Sequence, residues 1–358
     1  MDLGTGVEGF LERDWQTTDE GTVRFALIGL GWWTVDVAIP AIEDTDLCET
    51  TVLVSSSTEK AEDLANKHDA DHGISYDAFH DGAASDAYDA VYIATPNAYH
   101  LEYVETAADL GKAVLCEKPL EATAERAERL VESVEAGDVP LMTAYRMQTE
   151  PAVRRAKELV EAGFIGEPVQ AYGNNTQPLL EMIPDPDQWR LDPELSGYGT
   201  SVMDLGIYPI NTARFILGRD PVSVTARMSS PSEEFADVPD EYASFTLVLE
   251  GDLPLLCTTS QNAQTDTQLK LIGTEGQIEL APAFHGEATL HLSKGDVRAE
   301  IDTAEFAATE EMREEFDYFA DRVLSEAAIL PDGRHALTDM YTIRAIHEAA
   351  ENDETVEI

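Results

Sequence analysis

Several short groups of residues in this chain have the types and spacing to do chemistry. Gly29-Leu30-Gly31 follows the apolar run Val23 to Ile28 and opens a helix-like stretch. Glycine lets a chain turn tightly there and approach a pyrophosphate at a helix N-terminus. The third glycine of the usual fingerprint is absent, and Trp32, Trp33 and Thr34 follow instead. One tryptophan is expected to line a cofactor and the other to cover the sheet edge. Cys116-Glu117-Lys118-Pro119 ends a second apolar run, at the edge where open α/β sheets bind ligands. Thr95-Pro96-Asn97 ends a third and should face the nicotinamide side of a bound dinucleotide. His100, one turn into the next helix, could touch substrate or cofactor, or have a capping or surface role. Asp204 and Tyr208 are four residues apart and so share a helix face. Taken singly, Asp204 could be a cap and Tyr208 a core aromatic.

The second strand ends in Ser55-Ser56-Ser57, followed by Glu59 and Lys60. A carboxylate at that strand end would bind the ribose 2′-hydroxyl of NAD. Hydroxyls and a cation suit the 2′-phosphate of NADP better, so NADP is the expected cofactor, with Ser55, Ser56 and Lys60 as contacts. The plain alternative is a serine-rich turn with Lys60 on a solvated face.

The elements that must position these groups alternate. Strands are expected at Val23 to Ile28, Thr51 to Ser55, Ala90 to Ala94, Ala113 to Cys116 and Pro140 to Thr143, with helices between them. Thr58 is the expected N-cap of one helix. This order predicts an α/β fold, a Rossmann-type doubly wound parallel sheet. After about Tyr145 the order shifts. A helix, a strand near Val169, a proline-rich loop from about Gln177 to Tyr198 and a helix from about Ser201 to Leu217 precede strands at Ser223 to Met228, Ser244 to Leu249, Leu255 to Thr259, Leu269 to Ile272 and Gln277 to Leu280. Helices near Glu311 to Leu324 and His335 to Ala350 follow. The second domain is therefore expected to be α+β with a largely antiparallel open sheet. The expected boundaries are an N-terminal arm at 1–21, with Phe10, Leu11 and Trp15 as anchors, that could wrap a neighbouring subunit or be frayed, a dinucleotide domain at 22–144 and a substrate and oligomerisation domain at 145–358.

Seventy Asp plus Glu face 7 Lys and 16 Arg, for a net charge of −47. The acids are spread along the chain, which argues for a solvated acidic surface rather than an acidic tail. Such a surface repels itself in dilute salt; at about 1 M salt the screening length is only about 3 Å. A halophilic protein is expected, and nucleic acid is not an expected partner. No apolar run is long enough for a membrane span, and the N-terminus does not read as a secretory signal. Cys48, Cys116 and Cys257 are far apart and odd in number, suggest no metal site, and fit a reducing cytoplasm.

Together the glycine turn, Glu117-Lys118-Pro119 and the Asp204 to Tyr208 helix resemble the glucose-fructose oxidoreductase family, also called Gfo/Idh/MocA. The resemblance continues in Thr95-Pro96-Asn97 with His100, in Tyr145-Arg146, in Gln188-Trp189-Arg190 and in Ile207-Tyr208-Pro209-Ile210-Asn211, from about Thr22 to Ala350. The acidic composition, the arm and Gly31-Trp32-Trp33-Thr34 are most similar to the branch of NADP-dependent D-xylose 1-dehydrogenases in halophilic archaea. The resemblance implies that Lys118 sits by the nicotinamide and the reacting hydroxyl, and that Asp204 and Tyr208 complete the site. It also implies that Glu117, Arg146, Trp189 and Arg190 contact the cofactor. Tyr198 and Thr200 interrupt the family's glycine run.

The implied reaction is oxidation of an aldopyranose, D-xylose first, at C1 to a 1,5-lactone. A free phenol, with a pKa of about 10, is a weak base near neutrality; an ammonium such as that of Lys118 would favour tyrosinate. Asp204 would orient sugar hydroxyls or Lys118. No metal is required, because the cofactor carries the chemistry. The alternatives are a dehydrogenase of another polyol or a trans-dihydrodiol, and a non-catalytic NADP-binding regulator. A purely structural acidic protein fits the organised strand ends poorly. An apolar face on the second sheet would favour a homodimer or homotetramer.

Overall fold

A computed structural model describes residues 13–286, 288–302 and 308–358. They form two compact units: Arg13–Arg146 with Thr309–Leu337, and Met147–Ala308 with Thr338–Ile358.

The first unit is built on a six-stranded parallel sheet of β1 (Val23–Ile28), β2 (Cys48–Ser55), β3 (His72–Ser75), β4 (Ala90–Ile93), β5 (Ala113–Glu117) and β6 (Leu141–Ala144). Their order is β3-β2-β1-β4-β5-β6. All four residues of β4 and of β6 are buried, as expected for runs covered on both faces. The order reverses between β1 and β4, which opens a crevice at their carboxyl ends. The helix Thr58–Lys67 is capped by Ser57, not by the expected Thr58: Ser57 Oγ accepts from the Lys60 amide at 3.2 Å. Ser57 is still extended, so its hydroxyl can turn back over the first turn, whereas Thr58 already lies in the helix.

On one side of the sheet, Phe25, Leu27, Tyr92, Leu115 and Met142 pack with Phe316 and Phe319 of the helix Ala308–Leu324. Phe25 and Phe316 meet edge-on at 5.3 Å. Each fully buried ring contributes about 1.5–3 kcal/mol. This helix also takes up the described part of the expected N-terminal arm. Arg13 donates to Glu314 and Asp317, the amides of Thr17 and Thr18 donate to Asp321 Oδ1 at 2.6 and 2.8 Å, and Trp15 packs edge-on to Tyr318. The stretch from Arg13 to Thr18 thus docks on its own chain and is not frayed. Phe10 and Leu11 lie outside the described residues.

The second unit carries β7 (Pro168–Pro178), β8 (Pro221–Ser229), β9 (Tyr242–Leu249), β10 (Leu253–Ser260), β11 (Asn262–Gly273), β12 (Gly276–Leu280), β13 (Thr289–Lys294), β14 (Val297–Asp302) and β15 (Val356–Glu357). They form one sheet in the order β14-β13-β12-β11-β7-β10-β9-β8-β15. β7 and β10 run parallel and the other neighbours antiparallel. The helix Ile207–Leu217 packs on β7. Along β9 and β10 buried and exposed residues alternate, the mark of a half-covered sheet. The outward face is mixed rather than apolar: Ser244, Thr246 and Thr258 stand beside Tyr242 and Leu256.

Candidate active site

Gly29 and Gly31 are glycines for different reasons. Gly29 has φ +92°, and a Cβ there would lie 2.6 Å from the Ala94 carbonyl oxygen, so β1 can turn beside β4 only without a side chain. A Cβ on Gly31 would meet no protein atom within 4 Å. What it would fill is open space at the start of a helix, the space a pyrophosphate needs. Thr34 Oγ1 donates to the Gly29 carbonyl at 2.6 Å and holds the turn. The stretch Thr34–Ala38 is a wide π-helical turn, a form frequent at functional sites.

Beside Gly31 lies a cavity of ≈ 570 Å³, lined also by Leu30, Trp32, Ser57 and Lys60. Lys60 Nζ donates to the Leu30 carbonyl at 2.6 Å and so ties the helix Thr58–Lys67 to the glycine turn. Lys60 is the one cation among the lining residues, which also include Asp36, Glu59 and Asp63. Bare backbone, a hydroxyl and an ammonium fit a dinucleotide with a terminal phosphate; the nearby carboxylates would oppose it in dilute salt. Ser55 is buried and its Oγ accepts from the Ser57 amide, while Ser56 is exposed. Trp32 is 52% exposed on the cavity, whereas Trp33 turns inward.

The end of β5 is held by side chains from two other segments. Glu117 Oε1 accepts from Tyr92 Oη at 2.6 Å and from Trp33 Nε1 at 3.1 Å. Its Oε2 accepts from the Lys118 amide at 3.2 Å, which fixes the main chain where Lys118 leaves the strand. Hydrogen bonds to a charged group contribute about 1.5–3 kcal/mol each. Burial first, and then the Glu117 charge, push the Tyr92 phenol well above its ordinary range, so it stays a donor. Arg146 lies 5.3 Å from the Trp33 ring and donates to Glu311 at 3.0 Å. The Lys118-Pro119 peptide is cis. Thr95 and Asn97 are buried after β4. His100 is fully buried, with Nε2 3.0 Å from the Thr95 carbonyl and Nδ1 3.1 Å from the Leu120 carbonyl. Its imidazole braces the loops after β4 and β5.

In the second unit Asp204 lies in another π-helical turn, Val202–Gly206, which runs into the helix Ile207–Leu217 carrying Tyr208. Asp204 Oδ2 accepts from Arg190 Nε at 3.2 Å and Gln261 Nε2 at 3.0 Å. Arg190 stacks on Trp189 at 4.5 Å. The structure thus joins three residues expected from sequence, Asp204, Trp189 and Arg190, in one wall. Asp240 caps the turn, accepting from the amides of Thr200 and Val202 at 2.7 and 2.8 Å. Tyr208 is nearly buried, 5.0 Å from the His285 ring and 5.9 Å from Phe284. His285 Nε2 lies 3.0 Å from Asn175 Oδ1, and Asn175 Nδ2 donates to the Leu205 carbonyl.

Sequence reasoning missed Tyr92, Asn175, Gln261 and His285. Gln261 could have been found, because it ends a strand-like run as Lys118 does. Nothing near His285 marks it; only the fold brings it to Tyr208. Among the described residues no helix is long and apolar enough to cross a membrane, and no cluster of His, Cys, Asp and Glu has the geometry to hold a metal ion.

Comparison with known proteins agrees with both units. Residues 23–145 match the model of an oxidoreductase family with an NAD-binding Rossmann fold, and residues 153–279 match the GFO/IDH/MocA C-terminal domain. The chain is 55% identical to the D-xylose 1-dehydrogenase (NADP+) of Haloarcula marismortui, over 100% of this chain and 99% of that protein. It is 32% identical to D-xylose 1-dehydrogenase (NADP+) 2 of Haloferax volcanii, over 94% of this chain and 100% of that one. The fold matches the crystal structure of the aldose-aldose oxidoreductase of Caulobacter crescentus, complexed with glycerol, at a TM-score of 0.86 and 26% identity, over 94% of this chain and 100% of that chain.

Proposed function

Because this chain belongs to the GFO/IDH/MocA oxidoreductase family, we propose that it oxidises D-xylose at C1 to the 1,5-lactone with NADP as the acceptor. The observation that carries this is 55% identity across its whole length to an NADP-dependent D-xylose 1-dehydrogenase. The bare Gly31, the Ser55-Ser56-Ser57 strand end and Lys60 support a phosphate-bearing dinucleotide. Thr95, Asn97, Trp189 and Arg190 are proposed further contacts of that cofactor.

When bound, NADP supplies a nicotinamide ring that takes the hydride leaving C1. The chain's own residues do the rest. Tyr208 takes the proton from the O1 hydroxyl, so that the C1–H and O1–H bonds break as the C1=O bond forms. Lys118, held at its amide by Glu117, offers an ammonium that lowers the cost of charge on that oxygen. Asp204, fixed by Arg190 and Gln261, accepts from sugar hydroxyls and sets which carbon is presented.

The test is a panel of D-xylose, D-glucose, L-arabinose and inositols with NADP and NAD in molar KCl, followed by NADPH absorbance. Fastest turnover of D-xylose with NADP is expected. No turnover of any aldose, or a preference for NAD, would overturn the assignment. The net charge of −47 and the haloarchaeal relatives support function in high salt, in the cytoplasm. The mixed outer face of the second sheet is proposed as the contact for a homodimer or homotetramer, which sedimentation in molar KCl would detect.

A further inference from the structure

The helix Ala308–Leu324 places Glu311 and Glu315 one turn apart, and so on one face. Side chains of this helix meet groups that hold the end of β5. Phe316 lies edge-on to Tyr92 at 5.1 Å, and Tyr92 donates to Glu117. Glu311 accepts from Arg146, whose guanidinium stacks on Trp33, and Trp33 also donates to Glu117. Glu315 thus lies in the field of two other carboxyl groups, Glu117 and Glu311, and of the Arg146 guanidinium.

The three are not equivalent. Glu117 holds Tyr92, Trp33 and the Lys118 amide. Glu311 holds Arg146. Glu315 is 0% exposed, and neither of its oxygens has a hydrogen-bond partner. An ionised carboxylate in that state would carry an effective penalty of several kcal/mol. Burial most of all, and then the Glu117 charge, raise its titration well above the usual carboxylate range; Arg146 opposes this and Glu311 adds to it.

We propose that Glu315 is a positioning residue for the end of β5: a buried carboxylic acid whose neutrality leaves Glu117 the anion that Tyr92 and Trp33 hold, and so keeps the Lys118 main chain in place. A second bare anion beside Glu117 would pull on the same donors and loosen its grip on the Lys118 amide. Its effect on turnover rests on the assignment of Lys118 to the reaction; its protonation does not.

The experiment uses the full chain in molar KCl. Infrared difference spectra between the parent and Glu315→Gln at neutral pH should show a carboxylic-acid C=O band that the variant lacks. An amide is a neutral isostere, so Glu315→Gln should keep kcat close to the parent's. Glu315→Ala removes the packing and should lower kcat by about 10- to 100-fold, the order expected when a catalytic group is misplaced by about 1 Å, with KM for D-xylose little changed. If Glu315→Ala does not fold, the band and the kcat of Glu315→Gln still decide. Absence of the band, or a Glu315→Gln variant impaired at least 10-fold in kcat, would overturn the proposal, since the anion would then be the working form. A fully active Lys118→Ala variant would instead remove the assignment of Lys118 and leave the infrared result standing.

Discussion

Replacing Gly31 with alanine should separate cofactor binding from stability. A Cβ at Gly31 meets no protein atom within 4 Å, and its φ lies outside the left-handed region. The added methyl therefore has no clash within the protein, and a Gly→Ala change at a compatible site typically stabilises by about 0.4–1 kcal/mol through the unfolded chain. The same methyl would stand where the pyrophosphate approaches. Overpacking of that kind costs about 1–3 kcal/mol, which is roughly 5- to 150-fold in Kd. Gly29 is the control, with φ +92° and a Cβ 2.6 Å from the Ala94 carbonyl oxygen, so Gly29→Ala should lose stability itself. NADP binding can be titrated through quenching of tryptophan fluorescence, since Trp32 is exposed on the adjoining cavity. Thermal unfolding in molar KCl gives the other axis. Gly31→Ala should melt at or above the parent temperature and bind NADP weakly. Undiminished NADP affinity, or a melting point as low as that of Gly29→Ala, would refute the assignment of this turn to the cofactor.

Tyr208→Phe and Lys118→Ala should each lower kcat by about 10²- to 10⁴-fold, the range for proton-transfer groups, with circular dichroism unchanged. Lys60→Ala should weaken NADP by roughly 10-fold, as loss of one charged hydrogen bond implies, and barely alter NAD; equal losses for both would argue against a 2′-phosphate contact. Stability should fall between molar and millimolar KCl, because 70 acids face 23 bases and dilute salt restores their repulsion. Asp321 tests the pH dependence. Its burial would raise its pKa, but the Thr17 and Thr18 amides and Arg322 outweigh that and hold it below the ordinary value. Its contribution is therefore complete above the unfolded value of about 3.9 and is lost as pH falls through the lower folded value. Hydrogen exchange at the Thr17 and Thr18 amides should accelerate in that window and not above it.

How much of this was legible in the chain differed from element to element. β4 is an unbroken apolar run, and β1 and β5 are apolar apart from Arg24 near the start of one and Glu117 at the end of the other, because strands covered on both faces have little polar side to show. β3, His72-Gly-Ile-Ser75, has one neighbour and no apolar run, and it went unseen. β13 and β14 were also missed: Leu290 and Leu292 alternate with His291 and Ser293 in a stretch that reads as polar. The helix Ala308–Leu324 was visible, but not its place in the parallel-sheet unit, since that depends on Phe316 and Phe319 meeting Phe25 and Tyr92.

By itself the sequence determined the alternation of elements, the glycine turn, the missing acid after β2 and the excess of negative charge, because each is written in neighbouring residues or in composition. Only the tertiary structure decided that Trp33 and Tyr92 hold Glu117, that His100 is a brace, that Gln261 and Arg190 hold Asp204, and that Glu315 sits enclosed with Glu117. These contacts join residues separated by many positions in the chain, so no local period can encode them; they exist because packing removes water from between distant segments and leaves each buried polar group to find its partner there.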